Sequence, residues 1–487
     1  MTSNAEKAAR AAASAPESWA RIRLGDICEI VRGVSYKKDQ ASDQPEKGKV
    51  PILRATNIQD NALVLDSDLV YVPSDVVSDE QMLRVGDIVV ATSSGSKHLV
   101  GKTAQVKESW RGSFGAFCAA LRPKTEIDHR YLGYFFGSQE YKDYIRKKAL
   151  GVNINNLRRG DLEEISVPVA PLDQQKRIVA EIEKQFSRLD EAVTNLKRVK
   201  ANLKRYKAAI LKAAVEGRLV ETEASIARRE GRSYETGEQL LQNILETRRS
   251  QWKGKGKYKE PAAPDTTDLP ELPEGWVWSS VKAISTKVVD GVHKKPNYVP
   301  EGIPFVTVKN LTAGPGLSFA ELSYVTQEDH IEFCKRTNPE RGDILISKDG
   351  TLGVVRSINT DVAFSIFVSV ALVKPVLKEM QRYLVITFES PVVQRQMVPK
   401  GSGLQHIHLE DLRADCIPLP PLPEQRRIVT EVERRFSLVS EVCAQIDVNL
   451  MRSGRLSQSI LTSAFSARLL GEAMARSHHE ALVLRSG

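Results

Sequence analysis

The sequence predicts an α+β protein in which two mixed α/β domains are joined by two long helices packed as an antiparallel coiled coil. Three observations predict this architecture. The chain has an internal pseudo-two-fold repeat, each copy opens with short β-rich runs, and each copy closes with a long stretch of helical periodicity. At 487 residues the chain is also too long for one ordinary hydrophobic core.

The repeat is clearest at the entry to the helices. The segment VPVAPLDQQKRIV (167–179) reappears as IPLPPLPEQRRIV (417–429), so Gln175 matches Gln425 at an offset of 250 positions. Upstream, VPILRATNI (50–58) corresponds to IPFVTVKNL (303–311). The segment RVGDIVVATSSG (84–95) likewise corresponds to RGDILISKDG (341–350). The segments between these framework regions differ in length and content, which is suited to one task performed on two different targets.

The β-rich runs, such as ILRATNI, DIVVAT and DILIS, are separated by Gly, Pro, Asp and Ser turns and indicate compact mixed domains. The first helical stretch has neither Gly nor Pro from Gln174 to Glu216, and its apolar residues recur every three or four positions. Such a helix extends roughly 65 Å, so it is expected to act as a spacer. The second stretch repeats the stripe, with Gly454 as an expected weak point. Each helix has one apolar stripe, so the two helices are expected to pack against each other. Because a whole domain lies between them in sequence, the chain can return in the opposite direction, and we expect them to pack antiparallel.

The expected boundaries follow from these features. They are a disordered tail (1–16), a first domain (17–171), a first spacer helix (172–219), a linker with a short helix (220–272), a second domain (273–421), a second spacer helix (422–470) and a C-terminal tail (471–487).

Composition narrows the class of protein. A formal charge of +9 favours a polyanionic partner such as nucleic acid. No apolar run approaches the roughly 20 residues that cross a bilayer, and the N-terminus lacks the features of a signal peptide, so we expect a cytoplasmic protein without a membrane partner. The five cysteines are scattered and lack the paired spacing of disulfide frameworks or zinc sites.

Taken together, the layout resembles the specificity subunit of type I restriction-modification systems over residues 17 to 470. The shared features are two variable domains that each open near a tryptophan (Trp19 and Trp276), a GDI strand in each (Gly86-Asp87-Ile88 and Gly342-Asp343-Ile344), and the P-x-x-P-L-x-x-Q-x-R-I-V motif before each long helix.

The resemblance implies that the two domains are target recognition domains for double-stranded DNA and that the chain itself is not an enzyme. It also implies two methyltransferase subunits docked on the helices, and separate restriction and translocase subunits. S-adenosylmethionine, ATP and magnesium would then belong to those partners, with no cofactor or metal in this chain. Two reading domains on a rigid spacer are expected to recognise half-sites about 10 base pairs apart.

Candidate DNA contacts are polar or cationic residues in loops that follow the framework strands. In the first domain they are Lys37, Lys38, Arg54, Thr56, Asn57, Thr92, Ser93, Ser94, Ser96, Lys97 and His98. In the second domain they are Lys294, Lys295, Lys309, Asn310, Lys348, Asp349, Thr351, Lys400, Gln405 and His406.

Some of these positions have a structural alternative. Asn57 and Asn310 match between the copies, so either can be a turn former whose side chain caps the backbone. Residues that differ at matched positions, such as Thr92 opposite Lys348 and Ser96 opposite Thr351, are better candidates for base discrimination.

Two alternatives compete with a type I specificity subunit. SKHLVGKT (96–103) approaches a phosphate-binding P-loop, but its first position is serine and the matched copy has no lysine. A P-loop NTPase or nuclease with a coiled-coil insertion is therefore the less favoured alternative. The recognition subunit of a related, type IIB-like system remains an open alternative, and the sequence does not reveal the target.

Overall fold

The computed structural model describes residues 19–59, 61–94, 99–150, 156–254, 256–294, 296–401, 405–466 and 469. The expected tails and Ser96, Lys97, His98 and Lys295 lie outside the described residues. The chain divides into two compact units, one formed by residues 1–197 and 447–487 and the other by residues 198–446. No helix in the described ranges is long and apolar enough to span a membrane.

The first unit contains eleven described strands and four short helices. The strands are β1 (Ala20–Arg23), β2 (Cys28–Arg32), β3 (Lys49–Leu53), β4 (Ile58–Gln59), β5 (Ala62–Leu63), β6 (Val70–Pro73), β7 (Ile88–Ala91), β8 (Thr103–Gln105), β9 (Ser113–Phe114), β10 (Cys118–Pro123) and β11 (Ser166–Val169). The helices are α1 (Leu24–Ile27), α2 (His129–Phe135), α3 (Gln139–Leu150) and α4 (Arg159–Glu163).

The central sheet of this unit has the order β2-β10-β7-β8 and is antiparallel throughout. A second sheet, β6-β3-β9, pairs β3 with β6 in antiparallel and with β9 in parallel orientation. The strand β7 reads IVVA and is buried at every position, as expected for a strand covered on both faces.

The two long helices are α5 (Leu172–Val215) and α13 (Leu422–Phe465), and each is shared between the units. The second unit further contains α6 (Glu223–Glu230), α7 (Gly237–Ser250), α8 (Val308–Thr312), α9 (Gln327–Cys334), α10 (Gln381–Glu389), α11 (Pro391–Gln394) and α12 (Leu409–Ala414). Its strands are β12 (Val277–Ser280), β13 (Ser285–Asp290), β14 (Ile303–Val306), β15 (Ser323–Val325), β16 (Ile344–Ser347), β17 (Val355–Ser357), β18 (Ser365–Ile366), β19 (Val370–Pro375) and β20 (Cys416–Leu419).

The second unit repeats the sheet topology of the first. Its sheets have the orders β13-β19-β16-β17 and β15-β14-β18, with the same strand directions. The pair β12-β20 corresponds to β1-β11. The internal repeat predicted from sequence is therefore a repeat of tertiary structure.

The long helices pack antiparallel, as predicted. In the first unit, Ile178 and Ile182 near the start of α5 share a hydrophobic cluster with Ile460 near the end of α13. In the second unit the order is reversed, with Ile210 near the end of α5 in one cluster with Ile428 near the start of α13. The helix α13 continues through Gly454 without interruption.

The predicted seam is incompletely buried. Val199, Tyr206 and Leu456 belong to the apolar stripe, yet they are 42%, 45% and 51% exposed. A helix has 3.6 residues per turn, so residues spaced on a 3.5-residue repeat drift out of a two-helix seam. Part of the stripe therefore remains accessible along both helices.

The shared glutamine at the entry to each long helix has a structural role. The Gln175 side chain donates to the carbonyl of Ala170 at 2.7 Å, and Gln425 donates to that of Pro420 at 2.8 Å. Both carbonyls lie just before the helix, so the glutamine fastens the proline-rich entry segment to the first helical turn. This contact accounts for the repeated motif.

The segment 220–272, predicted to be a linker with a short helix around residues 237–251, contains that helix as α7 (Gly237–Ser250), and part of the segment packs into the second unit. Leu240 and Ile244 of α7 are 1% and 0% exposed and belong to its main core. The backbone N–H of Glu223 and the indole N–H of Trp276 both donate to the buried Glu424, at 2.8 and 3.1 Å. Burial of α6 and α7 reflects amphipathic faces that a linker interpretation underestimates.

Candidate nucleic-acid interface

Matching backbone hydrogen bonds establish which positions of the two domains are equivalent. Thr92 N–H donates to the carbonyl of Phe117 at 2.8 Å, and Lys348 N–H donates to that of Ser369 at 2.9 Å. Each of these amide groups directly follows the GDI strand. Thr92 is therefore equivalent to Lys348. Phe117 is likewise equivalent to Ser369.

The same comparison aligns the loops after β3 and β14. Arg54 and Thr307 each donate a backbone N–H to the asparagine three residues later, at 2.8 and 2.9 Å. Arg54 is thus equivalent to Thr307, and Thr56 to Lys309. The two scaffolds place different side chains at matched surface positions.

The aspartate of each GDI motif is buried and supports this scaffold. Asp87 is 1% exposed and accepts two hydrogen bonds from the Arg122 guanidinium, at 3.0 and 2.9 Å. Asp343 is 0% exposed and pairs with Lys374 at 2.5 Å and with Lys378. Neither carboxylate is available to a ligand, so the shared motif holds the sheet together.

In the first domain, four candidate residues surround one concave surface, which we call the first-domain recess. The recess has a volume of about 610 Å³. It is lined by Val34, Ser35, Tyr36, Arg54, Ala55, Thr56, Ser93, Ser94, Leu99, Gly115, Ala116, Phe117 and Cys118. The structure thus brings the loop with Arg54 and Thr56 together with the loop with Ser93 and Ser94, and these two loops lie far apart in sequence.

One carboxylate organises the polar side of this recess. Asp68 accepts a hydrogen bond from the Thr56 hydroxyl at 2.6 Å and an ion pair from the Arg54 guanidinium. Its carbonyl also accepts from Arg54 at 3.1 Å. Asp68 adopts a left-handed φ of 56°, and the equivalent Glu321 adopts 51°. The turn at Asp68 therefore holds the Arg54 guanidinium and the Thr56 hydroxyl next to each other.

The other first-domain candidates lie around the recess. Lys37 and Lys38 are exposed and follow Tyr36 directly, but they do not line the recess. Thr92 is partly buried and belongs to the loop fastened to Phe117. Ser93 pairs with Asn156 through an isolated β-bridge.

In the second domain the structure corrects the expectation for Lys348. This residue is 8% exposed, and its Nζ lies 3.5 Å from the buried carboxylate of Asp290. Asp290 also accepts from Arg336 and lies 3.2 Å from His293 Nε2. Lys348 is thus held in an ion-pair cluster, in which Arg336 and His293 are the more exposed members.

The side chains around Asp290 favour its ionised form. Burial by itself would raise the pKa of Asp290, but hydrogen bonds from Arg336 and His293 and the charge of Lys348 outweigh it, so the pKa lies below its usual value. The side chains of Arg336 and His293 are 49% and 62% exposed. They are suitable donors to phosphate or base edges.

The remaining second-domain candidates are divided between loop framework and surface. Asp349 and Lys400 each form a β-bridge with His406, so these three residues lie together. The Lys400 Nζ is held by Asp411 at 2.7 Å. The other candidates, Lys294, Lys309, Thr351 and Gln405, are exposed.

For Asn57 and Asn310 the structure supports the turn-forming alternative and not DNA contact. They are 1% and 5% exposed. The Asn57 amide donates to the carbonyls of Val64 and Ser67 at 3.1 and 2.8 Å, while its oxygen accepts from Arg54 N–H. The oxygen of Asn310 accepts from Thr307. These amides are engaged within their own loops, so we withdraw both residues as DNA contacts.

Sequence reasoning missed Tyr36, Phe117, His293 and Arg336. Tyr36 and His293 directly precede the candidates Lys37 and Lys294, so sequence reasoning identifies the correct loops but not these residues. Phe117 lies in a short Gly-flanked turn, where an apolar residue carries little pattern information. Arg336 follows α9, a segment without a matched counterpart in the repeat.

The interface is suited to binding a nucleic acid. Within the described ranges, no group of three or more His, Cys, Asp or Glu side chains could hold a metal ion. The exposed side chains donate hydrogen bonds and carry positive charge, as expected for recognition of phosphates and base edges.

Comparison with known proteins agrees with this assignment. The family model described as the type I restriction modification DNA specificity domain matches residues 16–205 and 273–438. The chain is 28% identical to the EcoKI specificity subunit of Escherichia coli strain K12, covering 94% of this chain and 90% of that protein. It is 27% identical to the StySPI specificity subunit of Salmonella potsdam, with the same coverage.

The fold is also similar to solved structures. An HsdS subunit from Thermoanaerobacter tengcongensis has a TM-score of 0.51 at 18% identity, covering 93% of this chain and 98% of that chain. A chain from a structure of type I restriction-modification complex assembly has a TM-score of 0.61 at 20% identity, covering 93% and 99%.

Proposed function

Because this chain belongs to the family of type I restriction-modification specificity subunits, we propose that its two domains read the two halves of a bipartite DNA target. It is a DNA-specificity subunit and not a catalytic one. The observation that carries the bipartite proposal is the repeated scaffold with different side chains at matched surface positions. Arg54, Thr56 and Phe117 in the first domain are replaced by Thr307, Lys309 and Ser369 in the second.

The physical basis is that shared elements fix the backbone while unshared side chains determine sequence. The GDI aspartates and the turn asparagines are used internally in both domains. Base edges are discriminated by hydrogen-bond donors and apolar groups that match their pattern. Two domains with different donor sets are therefore expected to prefer different half-sites.

We assign the partners by the same reasoning. DNA and other restriction-modification subunits are the partners of a specificity subunit, and two methyltransferase subunits are the proposed number. Accessible apolar residues on the long helices, including Leu438 at 52% and Met451 at 65% exposure, support docking there. S-adenosylmethionine, ATP and magnesium would be bound by these partners, and the assembly would act on DNA in the cytoplasm.

Methylation mapping of a host genome with and without this chain tests the proposal. We expect a bipartite motif, with a spacer of about one helical turn, to be methylated only when the chain is present. Exchanging residues 17–165 for another recognition domain should change one half-site and leave the other intact. Simultaneous change of both half-sites would contradict modular reading.

The stoichiometry is tested separately. Native mass spectrometry of the assembled complex should show two methyltransferase subunits per chain. Replacing Leu438 and Met451 by glutamate should weaken that assembly, because an exposed charge cannot enter an apolar interface without loss of hydration. Full assembly by this variant would place the docking surface elsewhere.

A further inference from the structure

Phe117 is an exposed aromatic residue at the edge of the first-domain recess. Its side chain is part of the lining, beside Arg54, Thr56 and Ser93, and the residue is 68% exposed. Its neighbour Cys118 is 2% exposed, so the exposure of Phe117 is not shared by the strand that follows.

The turn that carries Phe117 is held firmly. The carbonyl of Phe117 accepts two backbone hydrogen bonds, from Thr92 N–H at 2.8 Å and Ser93 N–H at 3.1 Å. Cys118 N–H donates to the carbonyl of Gly115 at 2.8 Å and closes the turn. A Cβ on Gly33 would lie 2.1 Å from the carbonyl oxygen of Gly115. The backbone at position 33 therefore approaches this turn as closely as glycine allows.

A rigid aromatic residue loses little conformational freedom on binding, since only two side-chain torsions become fixed. The polar side chains in the recess, including Arg54, Thr56 and Ser93, can pair with hydrogen-bonding groups on base edges. The one apolar feature on the major-groove edge of a base pair is the methyl group of thymine, which Phe can contact.

We propose that Phe117 makes an apolar contact with the 5-methyl group of a thymine in the first half-site and thereby specifies one T·A pair. This inference rests on the proposed bipartite function. The equivalent position in the second domain is Ser369, which has no ring. Position 369 therefore cannot supply the same aromatic contact to the second half-site.

The test uses the assembled complex and duplexes carrying its mapped target. Each thymine of the first half-site is replaced in turn by uracil, which removes the methyl group and leaves base pairing intact. We expect the parent complex to lose about four-fold in affinity at one position, the effect of one buried methyl group. Phe117→Ala should lose about ten-fold on the parent target and show no further loss with uracil at that position.

Ser369→Ala is the matched control, and it should respond to uracil in the first half-site as the parent does. Phe117 is exposed, so Phe117→Ala should unfold at the same urea concentration as the parent. Equal uracil sensitivity of the parent and Phe117→Ala, or a first half-site without thymine, would overturn the inference while leaving bipartite recognition intact. Failure to find a bipartite target would instead refute the proposed function.

Discussion

Asp415 is a buried acid whose replacement should stabilise the second unit in a pH-dependent way. The residue is 6% exposed and directly precedes β20. Burial, followed by repulsion from Asp411, raises the pKa of Asp415 to about 7. Among the described residues its Oδ2 has no hydrogen-bond partner. Ionisation of this carboxyl therefore weakens the folded state.

The sign and size of the effect follow from proton linkage. The folded state binds the proton more tightly than the unfolded state, whose carboxyl has a pKa near 4, so stability falls as pH rises from about 4 to 7. A difference of about three pKa units corresponds to roughly 4 kcal/mol. Asp415→Asn removes this pH dependence, and we expect it to be about 2–4 kcal/mol more stable than the parent at pH 8, with little gain near pH 4.

Urea unfolding at pH 4, 6 and 8, with hydrogen exchange of β12 and β20 to locate the change, measures this prediction. Asp265 and Asp415 line one cavity of the second unit. Asp265→Asn is the control, because Asp265 is exposed and hydrogen bonds from Thr267 lower its pKa. A gain for Asp415→Asn that is equal at all three pH values, or a loss at pH 8, would refute the reasoning.

Three further predictions follow from the interface and the spacer. Asn57→Ala should destabilise the first domain by about 2–3 kcal/mol, because it removes three part-buried hydrogen bonds between the Asn57 side chain and the loop backbone. A first-unit urea transition unchanged within 0.5 kcal/mol, roughly the error of such measurements, would contradict this. Arg336→Ala should lower the slope of log affinity against log salt by about 0.9, the value for one phosphate contact, and an unchanged slope would exclude that contact. Inserting seven residues after Lys197 and another seven after Ile446 should lengthen both long helices by roughly 10 Å and widen the gap between the half-sites by about three base pairs. An unchanged gap in the methylated motif would show that the helices do not determine its length.

The DNA-contact candidates show where sequence reasoning succeeded and where it stopped. Arg54, Thr56, Ser93 and Ser94 were selected because they follow framework strands, and the structure gathers them around one recess. Lys348 was selected by the same rule, yet its side chain is buried against Asp290. The position of a loop follows from the strand before it, while the direction of a side chain depends on charges contributed by distant segments.

The sequence by itself determined the duplicated framework, the pair of long antiparallel helices and the family. These features are encoded by local periodicity and by motifs that recur at a constant offset, and both can be read without knowing long-range contacts. Only the tertiary structure decided that Asn57 is a turn element, that α7 belongs to a core, and that Phe117 lies beside Arg54. Those outcomes depend on burial and on hydrogen bonds between residues far apart in the chain, which local patterns do not specify.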